Sequence, residues 1–273
     1  MRITFCLIAF CVVHQTFSQN FLSSKFEDRY FSVTLGTGVS SYFGELNSGN
    51  SINDRLSQIN AGIEARLLSR VGAKLEATYY TLKGNDLAAP DSSFQRQRNL
   101  SFNSRNFQVQ LNIVYYLRKY TGAYYSRWNI DPYVYSGIGY TFFNPTADLG
   151  GETFSLREAK TEGVSYGKWA WSLPLGAGIK FRVNDFLNIN FDLSYHFAFT
   201  DYLDDVSNTY ATELPNGTAE LLSDRKDEIG VINQAFYDQI TPGSIRGDAS
   251  DNDRYLFISL KLELFIPPSL FVR

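Results

Sequence analysis

The part of the sequence with the greatest potential for metal chemistry is residues 200–253. It holds twelve acidic residues, among them Asp201, Asp204 and Asp205, against three basic ones. Clustered carboxylates can coordinate Ca²⁺, but the ligand spacing of an EF-hand loop is absent from this stretch. A solvated acidic loop is therefore the favoured interpretation, and the sequence predicts no metal site and no cofactor.

Residues suited to nucleophilic or acid–base catalysis are scarce. The two histidines are His14 and His196, and His196 occupies the polar face of a segment with strand periodicity. A buried, hydrogen-bonded ring is the favoured interpretation of that position. A hydrolase at a membrane surface needs a serine activated by a histidine, and no His-x-Ser sequence is present. We therefore predict that the protein is not an enzyme.

The N-terminus has the pattern of a secretory signal peptide. Arg2 supplies the positive start, residues 3–13 form a short apolar core, and small residues mark a cleavage site after Ser18. Both cysteines lie in this segment, so disulfides, thiolate metal sites and thiol catalysis are excluded for the rest of the chain. We predict a signal peptide over residues 1–18 and a single domain over residues 19–273.

Composition narrows the class of the remaining chain. The net charge of −3 and the isoelectric point near 5.5 give no sign of nucleic-acid binding. Aromatic residues reach 16%, whereas charged residues make up only 19%, which is low for a soluble domain. No uncharged apolar run approaches the roughly 18 residues that a spanning helix needs. Two classes of protein remain possible, a large soluble β domain and a membrane β-barrel.

Eight segments alternate apolar and polar residues with a period of two, as a strand with two unlike faces does. Most exceed the about five or six residues of soluble strands and match the about 9–11 that a tilted strand needs to cross a bilayer. Aromatic residues gather near their ends, with Trp169 and Phe199 at one end and Tyr30, Tyr116 and Tyr133 at the other, as in the girdles of membrane barrels. The segments are 30–40, 58–67, 71–80, 107–117, 132–143, 169–183, 187–199 and 256–266.

The connections support the membrane alternative. Counted from a periplasmic N-terminus, the connections on the outer side are all long, and two of the three on the inner side are tight turns, which is the asymmetry of outer-membrane barrels. We therefore predict an all-β fold, an eight-stranded antiparallel transmembrane β-barrel in the bacterial outer membrane, with long extracellular loops and lipid around it. The outer connections are 42–57, 82–105, 144–168 and 200–253, and the inner ones are 68–70, 118–131 and 184–185.

The polar faces of the strands carry nearly balanced charge. An eight-stranded barrel is just wide enough for side chains to fill its interior, so we expect a packed, ion-paired lumen and no pore. The charges are Arg66, Lys74, Lys180, Arg182 and Lys261 against Glu64, Glu76, Asp192 and Glu263.

One inner connection, residues 118–131, is longer than such turns usually are. Tyrosine, tryptophan and arginine are enriched where interfaces concentrate their binding energy, so this connection is a candidate docking surface for a periplasmic partner. Anchoring at the inner lipid girdle is an equally good interpretation. The candidate residues are Tyr120, Tyr124, Tyr125, Arg127 and Trp128.

Several strings resemble the PorG-like outer-membrane barrels of the Bacteroidetes, in order and over most of the chain after residue 18. The most specific is Thr-Asp-Tyr-Leu-Asp-Asp-Val-Ser at 200–207. One departs mildly, since Gly44-Glu45-Leu46 replaces a Gly-Asp-Leu that we associate with the family. The other strings are 42–46, 98–102, 131–133 with 143–145, and 252–257.

This resemblance implies a structural role in the type IX protein secretion system, which in some species supports gliding motility. Its barrel is associated with a periplasmic ring built from a lipoprotein and a partner subunit. Related barrels also exist outside any secretion locus. A generic small barrel that acts as an adhesin or stabilises the envelope through its outer loops is therefore the alternative, and a barrel that carries a hydrophobic ligand is a third.

Overall fold

The computed structural model describes residues 30–46 and 56–266, so the predicted signal peptide lies outside the described residues. No helix in this part of the chain is long and apolar enough to cross a membrane. The strands are β1 (Tyr30–Phe43), β2 (Gln58–Arg66), β3 (Val71–Asn85), β4 (Ser101–Tyr116), β5 (Ile130–Phe142), β6 (Pro145–Leu149), β7 (Glu152–Ser155), β8 (Trp169–Arg182), β9 (Leu187–Ala198) and β10 (Arg254–Ile266).

Eight of these strands close into an antiparallel barrel. Each pairs with its neighbour along the chain, and β1 pairs with β10 from Phe31↔Ile266 to Phe43↔Arg254. The sheet therefore has no open edge around the barrel, which a membrane demands because unpaired backbone groups are costly in lipid. The predicted eight-stranded fold is confirmed.

The alternation assigns the two faces as predicted. Ile63 and Leu260 are each 56% exposed on the outside, whereas their chain neighbours Glu64 and Lys261 are buried in the lumen. A register shift of one residue would reverse every such pair. Two strand glycines make room inside, since the Tyr133 and Tyr135 rings occupy the space that side chains at Gly178 and Gly176 would need.

The girdle prediction is partly wrong at the end with the short connections, which we call the short-turn end. Tyr30, Tyr116 and Tyr133 are buried inside the barrel. Their neighbours explain the error, because successive residues of a strand point to opposite faces. Tyr115 faces outward and Tyr116 inward, so adjacent aromatics near a strand end cannot all belong to one girdle.

The other end, which we call the long-loop end, carries more ordered structure than predicted. Strands β3 and β4 pair as far as Asn85↔Ser101, well beyond the predicted segments. In this extension Leu82 and Phe102 are buried inside, and Lys83 and Arg105 are exposed outside. The polarity of the two faces is thus the reverse of that in lipid, as expected where the outside is water.

The long connections fold over this end. β6 continues the sheet along β4 and forms a hairpin with β7, whose turn uses Gly150 and Gly151 with φ of +61° and +87°. Type I′ turns need positive φ at both central positions, which glycine adopts freely. The described parts of the connections also contain four short α-helices, α1 (Phe94–Arg98), α2 (Leu156–Ala159), α3 (Gly217–Ser223) and α4 (Gln234–Gln239).

Candidate functional site

The lumen holds a network of buried ion pairs. Lys180 Nζ lies 2.6 Å from Glu64 Oε1 and 2.8 Å from Glu263 Oε1. Lys261 Nζ lies 2.6 Å from Glu76 Oε2 and 2.8 Å from Asp192 Oδ2. These contacts join β8 to β2 and β10 to β3 across the interior. The prediction that the lumen charges pair with one another is therefore confirmed.

Further lumen contacts complete this network. Lys74 Nζ lies 3.1 Å from Glu76 Oε2, and Arg66 Nη1 lies 3.0 Å from Asp131 Oδ2. Arg182 departs from the prediction, because it reaches the short-turn end and pairs with Asp185 at 2.5 Å while partly exposed. Buried charges are tolerated when they are paired, and each of the buried charged groups named here has a partner of opposite charge.

His196 is buried in the lumen, as predicted. Its Nε2 lies 2.7 Å from Ser194 Oγ, and its ring stacks on Tyr255 with centroids 4.6 Å apart. The other ring nitrogen lies 3.4 Å from the Gln108 side-chain amide nitrogen. A serine and a histidine thus meet, but they lie inside the barrel and no carboxylate hydrogen-bonds the ring among the described residues. The arrangement lacks the orienting third group of a hydrolytic triad.

The strings that resemble the PorG-like barrels meet at the long-loop end. One buried apolar cluster contains residues from three of these strings. They are Tyr42 and Leu46 from 42–46, Leu100 and Phe102 from 98–102, and Leu203 from 200–207. Together with residues of the other connections, they form an apolar plug over the lumen. Widely separated sequence motifs therefore build one region of the molecule.

Four carboxylates are buried or half-buried within this region, and we call them the mouth cluster: Glu45, Asp201, Asp204 and Asp253. Asp253 accepts hydrogen bonds from the Tyr42 hydroxyl and, at 2.8 Å, from Leu203 N. Asp204 accepts from Val206 N at 2.9 Å and from Leu46 N at 3.3 Å. These bonds fix the two ends of the last long connection against the end of β1.

The mouth cluster is electrostatically strained. Burial and the repulsion from Asp204 raise the pKa of Asp201 to about 7. Burial and the repulsion from Asp201 raise the pKa of Glu45 to about 7. Burial and Glu45 raise the pKa of Asp204 to about 8, and the pKa of Asp253 lies well above its usual range for the same kind of reason. Desolvation and like charges both disfavour the ionised form.

Other acidic groups nearby have cationic partners. Arg98 Nε lies 2.7 Å from Asp86 Oδ2, and Arg246 Nη1 lies 2.9 Å from Glu162 Oε1. Arg246 also approaches Asp205, which accepts hydrogen bonds from the Thr161 and Tyr166 hydroxyls. The interpretation of residues 200–253 as a solvated acidic loop is therefore wrong for four buried residues, Asp201, Asp204, Asp205 and Asp253, although most of the other acidic side chains in the loop are exposed.

The predicted docking residues at the short-turn end adopt different roles. Tyr125 and Trp128 are 56% and 49% exposed. Arg127 is buried, and its guanidinium donates to Asn188 Oδ1 at 2.6 Å and to the Asp185 carbonyl at 2.7 Å. Tyr120 shares a 2.8 Å hydrogen bond with Ser126 Oγ.

The segment between β4 and β5 is therefore held to the barrel. Trp128 Nε1 donates to the Lys119 carbonyl at 3.2 Å, which fixes the indole within its own connection. Tyr124 begins a 3₁₀ turn, Tyr124–Ser126. Two exposed aromatic side chains thus stand on a connection whose buried arginine is already used internally.

Comparison with known proteins agrees with this architecture. Residues 3–214 match the family described as the outer membrane protein beta-barrel domain. The chain belongs to this family. None of the curated proteins matches the sequence significantly.

Solved structures of the family's architecture align over most of the chain. Neisserial surface protein A (NspA) is 11% identical, with coverage of 86% of this chain and 96% of that one and a TM-score of 0.41. A major outer membrane protein from Thermus thermophilus is 14% identical, with coverage of 87% and 99% and a TM-score of 0.42. The outer membrane enzyme PagL is 13% identical, with coverage of 85% and 98% and a TM-score of 0.33. At these values the similarities carry no argument about activity.

Proposed function

We propose that this outer-membrane barrel is a non-catalytic anchor for the type IX secretion machinery, including its gliding form where present. It is directed to the outer membrane by residues 1–18 and stands there with its short-turn end in the periplasm. The periplasmic ring lipoprotein and its partner subunit dock on the connection between β4 and β5. The observation that carries the proposal is the rigid display of Tyr125 and Trp128 on that connection.

The filled lumen favours an anchor over a channel. Lys180 and Lys261 each bridge two carboxylates inside the barrel. An eight-stranded barrel leaves little space beyond its own side chains. A protein built in this way contributes surfaces at its two ends, and its interior serves stability.

The lumen also supports the absence of catalysis. Acyl-transfer enzymes place a serine nucleophile where a substrate and an oxyanion site can both reach it. The Ser194 and His196 pair lies among buried strand side chains, and Tyr255 covers one face of the imidazole. A lipid or peptide substrate would have to enter the packed lumen to meet it.

The aromatic pair at the short-turn end has the properties of an interface anchor. Large aromatic side chains dominate binding energy when they are presented on a rigid backbone, because less conformational entropy is lost on binding. Five guanidinium hydrogen bonds of Arg127 to residues 184–188 supply that rigidity. Arg127 therefore positions the surface, and Tyr125 and Trp128 provide the contact.

The test is co-purification of the ring lipoprotein from detergent-solubilised outer membranes that carry a Tyr125→Ala, Trp128→Ala double variant. We expect the barrel to stay folded and heat-modifiable on gels and the lipoprotein to be lost. The matched control is Trp171→Ala with Phe199→Ala, which removes two exposed aromatics at the long-loop end. Retention of the lipoprotein by the double variant would refute docking at this connection.

The alternative function, binding through the outer loops, has one observation in its favour. A cavity of about 920 Å³ lies at the long-loop end between β4 and the β6–β7 hairpin, and Lys83, Arg105 and Arg225 are among its lining residues. Arg225 is paired with Glu228 and Asp148 also lines the cavity, so Lys83 and Arg105 are the cations that, with Phe142 and Phe102 in the same lining, suit an anionic amphiphile. An intact secretion phenotype in a strain that lacks this protein, together with loss of adhesion, would favour that function over anchoring.

A further inference from the structure

We propose that Glu45, Asp201 and Asp253 bind one divalent cation of the Ca²⁺ class at the long-loop end. The site would tie the end of β1 to both ends of the connection between β9 and β10. This inference does not depend on the secretion role. It departs from the prediction of no metal site that composition and spacing favoured.

The geometry matches the requirements of Ca²⁺. One carboxylate oxygen from each of the three residues lies within 4.8 Å of the other two. Ca²⁺ takes oxygen ligands at about 2.3–2.6 Å, so two ligands on opposite sides of the ion are separated by about 5 Å. The three oxygens therefore fit around one ion, and water can complete its coordination.

The second observation is the state of Asp201. Asp201 is only 7% exposed, and neither of its carboxylate oxygens accepts a hydrogen bond from the described residues. The nearby Ser207 hydroxyl lowers the pKa of Asp201 but does not satisfy either of its oxygens. Glu45 Oε2 is also buried without a partner, although Glu45 Oε1 accepts from Asp248 N at 3.1 Å. Buried charge without a partner is costly.

Among the described residues no cation forms an ion pair with the three carboxylates, although Arg98 is near enough to lower the pKa of Glu45. Within residues 30–46 and 56–266, no lysine, arginine or histidine nitrogen lies within 4.0 Å of them, whereas Asp86 and Glu162 nearby have Arg98 and Arg246. Guanidinium groups thus neutralise the neighbouring acidic side chains, whereas Glu45, Asp201 and Asp253 have no ion-pair partner among the described residues. A divalent ion supplies the missing charge.

The fourth member of the mouth cluster takes a supporting role. Both oxygens of Asp204 are occupied by backbone N–H groups of Leu46 and Val206. Its negative charge still acts on the site, since it raises the pKa of Asp201 and Asp253. Asp204 is not one of the three residues whose carboxylate oxygens lie within 4.8 Å of one another, so it positions the two segments and adds negative charge beside the site. Oxygen ligands of high negative charge are those that raise Ca²⁺ affinity.

The experiment uses the purified full-length barrel in detergent, treated with EDTA and dialysed, and titrated with CaCl₂ by calorimetry. We expect one site per chain with half-saturation between about 0.1 and 1 mM, the range of extracellular Ca²⁺ modules. Asp201→Asn should weaken binding about tenfold or more because it removes a charged ligand. Asp238→Asn, which removes an exposed acid of the same connection, is the matched control and should bind as the wild type does.

Thermal unfolding provides a readout that does not depend on detecting heat of binding. A ligand that binds only the folded state raises the unfolding temperature, so Ca²⁺ should stabilise the wild type and the Asp238→Asn variant. In EDTA, Asp201→Asn should unfold at the same temperature as the wild type or above it, and Ca²⁺ should no longer shift it. Heat-modifiability on gels checks that the variant is folded. Absence of stoichiometric Ca²⁺ binding to the wild type, or unchanged binding by Asp201→Asn, would overturn the proposal.

Discussion

The lumen and the mouth cluster both bury carboxylates, yet they handle the charge in opposite ways. In the lumen, Lys261 lies within 2.8 Å of both Glu76 and Asp192. In the mouth cluster, Asp201 has neither a cation nor a hydrogen bond among the described residues. The lumen is surrounded by lipid, so its charges must be neutralised by the protein itself. The mouth cluster lies at the long-loop end, where the outer face of the extended strands is polar and faces water.

The largest expected effect comes from removing a lumen cation. Lys180→Met leaves Glu64 and Glu263 buried and unpaired, so we expect a loss of about 3–5 kcal/mol in the free energy of unfolding. Urea unfolding in detergent, followed by tryptophan fluorescence, measures the loss. Lys83→Met, which removes an exposed lysine of β3, is the control and should change stability by less than about 0.5 kcal/mol. Equal stability of the two variants would contradict a lumen held by ion pairs.

A second variant tests the boundary between the lumen and the lipid. Leu260 precedes Lys261 in the chain but faces outward. Leu260→Lys therefore adds a lysine that points into the lipid, next to one that points into the lumen. We expect a cost of about 2–4 kcal/mol in unfolding free energy if the residue lies near the bilayer midplane. Val183→Lys, just beyond the end of β8, should cost only about 0–1 kcal/mol. A tolerated Leu260→Lys would reverse the assignment of faces.

The mouth cluster should respond to charge removal with a smaller effect of the opposite sign. Asp204→Asn keeps an oxygen for the Val206 N–H, loses the long 3.3 Å bond from Leu46 N and relieves the repulsion among four crowded carboxylates. In EDTA we therefore expect stability to be unchanged or raised by about 1 kcal/mol. Urea titration against the wild type in EDTA measures the difference. A destabilisation as large as that of Lys180→Met would show that the two regions do not differ as described.

The last prediction concerns ionic conductance in planar bilayers, where we expect no effect of adding the protein. Because the lumen charges are paired across the barrel, the purified wild type should give no steady conductance. Conductance steps of porin size would contradict the packed lumen.

The sequence predicts the two faces of the barrel well but not the pairing within it. The alternation of Ile63 with Glu64 is local, and it therefore appears directly in the sequence. The contact between Glu64 and Lys180 joins residues 116 positions apart and depends on strand order and register. Charge counting showed that the lumen is nearly balanced, and it could not show which groups meet.

The mouth cluster was missed for a related reason. Composition presents residues 200–253 as acidic and therefore solvated, but Asp201 and Asp204 are buried, and Asp204 accepts a hydrogen bond from Leu46 N, 158 positions away in the chain. The same non-local packing explains the extension of β3 and β4, whose reversed face polarity does not look like a membrane strand. The signal available in the sequence was the set of strings at 42–46, 98–102 and 200–207, which proved to be neighbours.

The hairpin turn at Gly150 and Gly151 offers a practical consequence. Side chains added at either glycine would have no atom within 4 Å, so the tip projects away from the rest of the molecule. Exposed loop tips of this kind tolerate inserted sequence best. An epitope inserted between the two glycines should therefore leave the barrel folded and, in intact cells, bind antibody only if the long-loop end faces the medium. Flow cytometry on unpermeabilised cells would thus read the orientation of the whole protein from a single turn.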